Sequence, residues 1–130
     1  MAVLDKEIKN WVKEAAKYFV SVWGLDSDFS QKVALFFLYL SSYGLRPVVT
    51  SGFRDPAKQK ELLKRYNAGD PSVRYKPAEN SKHMITGFLG KPASMAVDIS
   101  TSNEAYAAQI AKALGLKAGF DFGDNVHFYL

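Results

Sequence analysis

The sequence contains no cysteine. That absence excludes disulfide frameworks, thiolate zinc fingers, iron–sulfur clusters and cysteine nucleophiles together, so any metal site must use histidine and carboxylates. Histidine is scarce too, with only His83 and His127. The longest apolar run, Val33 to Leu40, falls far below the roughly 18–20 residues a membrane span needs, so no membrane insertion is expected. Asp5, Lys6, Glu7 and Lys9 interrupt the only place a secretory leader could begin, which predicts a soluble protein without a signal peptide. Dense runs of one charge are missing. Seventeen Lys and Arg against 13 Asp and Glu leave a net charge of +4, spread over several segments, and no helix presents a basic-aromatic face. Nucleic acid is therefore not an expected partner. The chain also lacks His-Glu-x-x-His, Gly-x-Ser-x-Gly and Ser-x-x-Lys, which removes the standard serine-acylation motifs and the common helical zinc motif.

What is present is enough apolar material, 48% of 130 residues, for one compact core. Leu4, Ile8, Trp11, Val12, Ala15, Phe19 and Val20 recur at helical spacing and predict an amphipathic first helix ended by Gly24. Ser27 or Asp28 can cap a second helix running to Tyr43, with Val33, Phe36, Phe37 and Leu40 deeply buried and Gly44 as its stop. Arg46 to Phe53 reads as a strand, and Asp55-Pro56 as the cap and first turn of a helix over Ala57 to Asn67. Asp70 to Asn80 reads as a loop, Met95 to Ser100 as a strand, and Asn103 as the cap of a helix through Leu114 closed by Gly115. Two short strands, near Lys117 to Phe122 and Asn125 to Leu130, complete the chain. The sum is an α+β fold: one domain of helices packed on a small, mostly antiparallel sheet. Residues 1–45 form its helical N-terminal part and 46–130 the part that carries the candidate chemistry. Gly87 to Lys91 superficially resembles a phosphate loop, but its glycines are too close together and Pro92 stands where Ser or Thr is needed. It reads as a flexible loop.

His83, His127 and Asp98, the last on a predicted strand, are a sufficient three-ligand set for Zn²⁺ with a fourth position left for water. Isolated His and Asp residues are more often surface groups or satisfied core groups than ligands, so spacing alone is a weak signal.

The order of motifs adds to this. Ser81-Lys82-His83, then Ala96-Val97-Asp98, then Asp124-Asn125-Val126-His127 resembles the Ser-x-His-x-x-Gly-x-Ala-x-Asp signature and terminal histidine of the D-alanyl-D-alanine carboxypeptidase family of zinc peptidases. That family includes the vancomycin-resistance D,D-carboxypeptidases and D,D-dipeptidases and the phage L-alanyl-D-glutamate endopeptidase endolysins. Upstream, Ser51-Gly52-Phe53-Arg54, followed by Gln59, Leu62, Tyr66 and Gly69, is similar to the family's Ser-Gly-Tyr-Arg segment and its helix, and Pro77-Ala78 to the approach to the first ligand. The resemblance spans about Thr50 to Leu130. One departure is the gap of 15 positions between His83 and Asp98, which an insertion over about Phe88 to Met95 explains. Such an insertion could form a lip over a cleft, shaped by Gly90 and Pro92, or distort the site.

The resemblance implies that His83, Asp98 and His127 bind Zn²⁺ and that Asp124 is the general base and acid, with Asp121 as the competing candidate. It implies that Arg54 faces the substrate carbonyl or carboxylate, and that Ser81 orients its loop or contacts substrate. Gln59 and Tyr66 read as structural. The implied function is hydrolysis of peptidoglycan stem peptides, at an L-alanyl-D-glutamate or a D-alanyl-D-alanine bond. The protein would act as a monomer on wall peptide, and would be a phage-type endolysin or virion-associated lysin reaching the wall through a membrane pore or within a phage particle. The competing reading is a non-catalytic wall-binding or phage structural module of the same fold.

Overall fold

A computed structural model describes residues 2–73, 76 and 81–130. Helix α1 (Ala2–Trp23) is followed by α2 (Ser27–Ser42), strand β1 (Val48–Ser51), α3 (Pro56–Asn67), β2 (Ala96–Ser100), α4 (Glu104–Ala113), and the short strands β3 (Lys117–Ala118) and β4 (His127–Tyr129). The strands form one antiparallel sheet in the order β1-β2-β4-β3. The α+β, single-domain expectation holds. Among the described residues no helix is long and apolar enough to cross a membrane. Pro77-Ala78 lies outside the described residues.

Alternation along the strands divides the sheet into two faces. Val97, Ile99, Phe128 and Ala118 point to one side, where they pack with Phe29, Val33, Phe36 and Leu40 of α2 and Ala107 and Ala111 of α4. Phe36 meets Phe128 edge-on at 4.7 Å between ring centroids. Each fully buried side chain of this size contributes about 2 kcal/mol of hydrophobic stabilisation. Asp98 and His127 pair directly, as do Tyr129 with Ala96 and Lys117 with Tyr129, so these residues share the opposite face.

Several elements depart from the sequence reading. Asp26, rather than Ser27 or Asp28, caps α2, its carboxylate accepting from Asp28 N–H and Phe29 N–H. A tertiary contact decides this, because Asp26 N–H donates to Ser94 O and Ser94 N–H to Gly24 O, pinning the junction before the helix. On α1 the buried side is Ala16 and Phe19. Ile8 and Trp11 (43% exposed) lie at the rim, and Phe37 of α2 is half-buried. The strand expected over Lys117 to Phe122 stops after Ala118 and becomes a 3-10 turn over Gly119–Phe122. Gly119 allows this: a Cβ there would lie 2.6 Å from Asp124 O and 3.0 Å from His127 Cβ. Asp55 caps α3 as expected, accepting from Lys58 N–H at 2.9 Å, and Asn103 caps α4 through Tyr106 N–H.

The segment read as a flexible loop is a small hairpin. Gly87 N–H donates to Lys91 O at 2.7 Å, Thr86 bridges Pro92, Ala93 N–H donates to Ile85 O, and Met95 N–H to Lys82 O. Leu89 stands at its tip, 89% exposed and in the left-handed region at φ 56°. The extra residues between His83 and Asp98 therefore project as a self-bonded arm.

Candidate metal centre

Asp98 and His127 are adjacent because β2 and β4 pair in that register. His83 comes from a 3-10 turn (Lys82–Met84) capped by Ser81, whose hydroxyl accepts from His83 N–H at 3.2 Å. A longer-range bond aims the His83 ring: its Nδ1–H donates to Gly52 O at 2.7 Å, and the ring is only 2% exposed. Protonated at Nδ1, neutral His83 presents the lone pair of Nε2 to the sheet. Gly52 can approach only because it lacks a side chain, since a Cβ there would lie 2.2 Å from the Trp23 carbonyl oxygen.

Three electron-rich atoms converge as a result. His83 Nε2 lies 3.2 Å from His127 Nδ1 and 3.3 Å from Asp98 Oδ1, and His127 Nδ1 lies 3.1 Å from Asp98 Oδ1. These three residues are a possible metal-holding group. A tetrahedral Zn²⁺ with N and O ligands at about 2.0–2.1 Å spaces its donors about 3.3 Å apart, so the triangle fits one face of such a site. The donor chemistry agrees: a lone pair, a carboxylate and a second imidazole nitrogen cannot crowd together stably without a proton or a cation among them. When a proton rather than a cation fills the gap, burial still pushes the Asp98 carboxyl up, but hydrogen bonds from the protonated His127 and His83 rings and their charges outweigh it and hold the group well below the usual carboxylate range.

The neighbours are ordered in turn. Arg54, just after β1, has its backbone N–H on His83 O at 2.9 Å. Its Nη1 donates to Gln59 Oε1 at 2.7 Å and its Nη2 to Ser51 Oγ at 3.0 Å, leaving Nη2 3.7 Å from Asp98 Oδ2. Gln59, read from sequence as merely structural, is 3% exposed and holds the guanidinium at the cluster. Tyr66 remains peripheral and partly exposed. Asp124 is half-buried and its pKa is raised, first by desolvation and then by the charge of Asp98, with His127 and His83 opposing. Asp121 instead pairs with Lys112 at 2.9 Å on the exposed surface. The structure thus brings His83, Asp98, His127 and Arg54 together, sets Asp124 in their field and commits Asp121 elsewhere.

The supporting roles of Gly52, Ser51 and Gln59 went unread, although all three stand in the segment that carries the family resemblance. Tyr129, whose ring lies 5.2 Å from that of His127, had only its period-two spacing to mark it.

No protein-family model matches the sequence. No curated protein matches it either. Among solved structures, the chain is similar to the crystal structure of a vancomycin-resistance D,D-pentapeptidase, a VanY mutant from a VanB-type resistance cassette in complex with Zn(II). The TM-score is 0.55 and the identity 17%, over 81% of this chain and 71% of that one. The likeness is one of fold, and it is the fold of a protein that carries zinc.

Proposed function

We propose that the protein is a zinc-dependent peptidase acting on peptidoglycan stem peptides. The observation that carries this reading is the triangle of His83 Nε2, Asp98 Oδ1 and His127 Nδ1, with edges of 3.1–3.3 Å, beside an arginine held by Gln59 and Ser51. The fold it shares with a D,D-pentapeptidase supports the choice of substrate class.

His83, Asp98 and His127 would hold the metal. Zn²⁺ in such a site supplies Lewis acidity, polarising an amide carbonyl and making water more acidic. Asp124, as carboxylate, takes a proton from the attacking water and returns it to the leaving amine as the C–N bond breaks. Arg54, held by Gln59 and Ser51, faces the negative charge that develops on the carbonyl oxygen. Ser81 serves the site by capping the turn that presents His83.

The finer reading is a monomeric phage-type lysin that cuts an L-alanyl-D-glutamate or a D-alanyl-D-alanine bond. Its support is the resemblance carried by Ser51 to Arg54, Ser81 to His83, Ala96 to Asp98 and Asp124 to His127. The test incubates purified peptidoglycan with native, EDTA-treated and zinc-restored protein, and follows new amino termini and fragment masses. Chelator-sensitive cleavage restored by zinc is expected, and the masses identify the bond. Zinc binding without cleavage of wall or synthetic stem peptides would replace the peptidase reading with a binding or structural module.

A further inference from the structure

We infer that the outer face of α1 is the docking site for an amphipathic helix of another protein, one with an apolar seam and a basic flank. The inference stands apart from the metal chemistry and from the peptidase reading.

Ile8, Trp11, Ala15, Tyr18 and Val22 are spaced alternately three and four residues apart, the repeat that keeps one seam of a helix against a second helix. On its own domain α1 packs with a different stripe, Val12, Ala16, Phe19 and Trp23. The seam beside that stripe is left uncovered, with Ile8 39%, Trp11 43%, Tyr18 56% and Val22 53% exposed. Single apolar residues scattered on a surface mean little, but these stand in register along about 21 Å of helix as one strip.

The strip borders a groove. Trp11, Ala15, Tyr18 and Trp23 of α1, Phe37 of α2 and Val49 of β1 line a cavity of about 430 Å³. Among the described residues Glu14 is the one charged side chain on its walls, so a small polar ligand would find few converging groups there. One end is closed where Phe53 N–H donates to Trp23 O, and at the other residues 6–11 of α1 are all exposed. The shape takes a rod laid along α1. Such a rod would also lie against β1, an edge strand that pairs only with β2 and whose Val48 is 58% exposed, and covering an open edge is a common use of a helix.

Charge selects the occupant. Glu7 and Glu14, both exposed, stand one position before Ile8 and Ala15 and so border the seam. Among the described residues Glu7 has no ion-pair partner, and Glu14 has only the exposed Lys17 at 3.3 Å. Lys6, Lys9 and Lys13 fall on the opposite side of the helix. An anionic lipid surface would therefore meet glutamates, not lysines, beside the apolar strip. A second copy of the chain fits poorly too. In an antiparallel pair the two Glu14 side chains would meet across the two-fold axis, and in a parallel pair Glu14 would face Phe19, which is buried in its own domain. A helix with Lys or Arg flanking its own apolar seam satisfies both the strip and the glutamates.

The probes are two synthetic three-heptad helical peptides with Ile and Leu at the seam, one flanked by Lys and one by Glu. The chain's two tryptophans, Trp11 and Trp23, both line the groove, so docking reads directly as a blue shift of tryptophan emission, and calorimetry gives the affinity. The Lys-flanked peptide should bind in the micromolar range, as suits a small interface, and the Glu-flanked peptide about tenfold more weakly. Glu7→Gln with Glu14→Gln should remove that difference, and Trp11→Ala with Tyr18→Ala should weaken the Lys-flanked peptide by about tenfold or more. All four side chains are exposed, so the fold should survive each change, which circular dichroism checks. Equal binding of the two peptides, binding of neither, or wild-type affinity in the Trp11→Ala, Tyr18→Ala double variant would overturn the site. Self-association of the protein, or adsorption to anionic vesicles, that Trp11→Ala abolishes would put a second copy or a lipid surface on this face and overturn the partner helix.

Discussion

Gly52→Ala connects the stability of the fold to the metal centre in one substitution. The added Cβ would lie 2.2 Å from the Trp23 carbonyl oxygen, 2.7 Å from Trp23 Cβ and 2.9 Å from the Trp23 carbonyl carbon. Two of these atoms are backbone, and the Trp23 oxygen is tied to Phe53 N–H at 2.6 Å. Reaching ordinary van der Waals contact near 3.4 Å requires the end of α1 and the end of β1 to separate by about 1 Å. Overpacking of this kind costs about 1–3 kcal/mol. For a chain of this length each kcal/mol moves Tm by about 3–6 °C, which gives a fall of about 3–18 °C. The displaced Gly52 carbonyl would also release His83 Nδ1–H, and losing such an orienting partner typically lowers metal affinity about 10–100-fold. Thermal unfolding of the metal-free protein and zinc competition with a chromophoric chelator measure the two effects. Gly87→Ala is the control, since its Cβ would meet Ala93 Cβ at 3.4 Å, and it should change stability by less than about 1 kcal/mol. A Gly52→Ala protein matching wild type in both assays would refute the role assigned to that backbone approach.

Phe128→Ala removes a ring that is buried against Phe36 and adjacent in sequence to His127, and should cost about 3–5 kcal/mol in denaturant unfolding. Arg54→Lys keeps a positive charge but loses the fork that engages Gln59 and Ser51 together; zinc content should be unchanged while kcat falls about 100-fold. In metal-free protein, Asp124 has its folded pKa raised above the unfolded value, so it favours the folded state below the ordinary carboxylate range and that contribution is lost as pH rises through the folded pKa. Asp124→Asn should therefore be more stable than wild type at neutral pH, with the difference closing at acid pH, as denaturant titrations at pH 3 and pH 7 would show. Asp98 has the opposite sign: its lowered pKa stabilises the fold above the ordinary carboxylate range, and this is lost as pH falls through the folded value.

The sequence was most legible where a local rule had no competitor. Asp55-Pro56 and Asn103 mark their helices through caps that need only a few consecutive residues, and both act as read. Where several polar residues stood together, as at Asp26, Ser27 and Asp28, the choice fell to a contact with Ser94, far along the chain. The outward position of Trp11 has a similar origin, because α1 packs against α2 and little covers its outer side. The three candidate ligands could be named from their order, but their convergence depends on the Asp98–His127 register and on the Gly52 carbonyl, neither of which has a local signature. The arm between His83 and Asp98 was visible as extra length. Its hydrogen bonds to Ile85 and Lys82, which let it project without parting the ligands, were not.

The most direct test of the central claim is anomalous diffraction from crystals of the zinc-loaded protein. A single zinc peak per chain at about 2.0–2.2 Å from His83 Nε2, Asp98 Oδ1 and His127 Nδ1 together is the predicted result. Zinc bound away from these atoms, or held by only one of them, would contradict it.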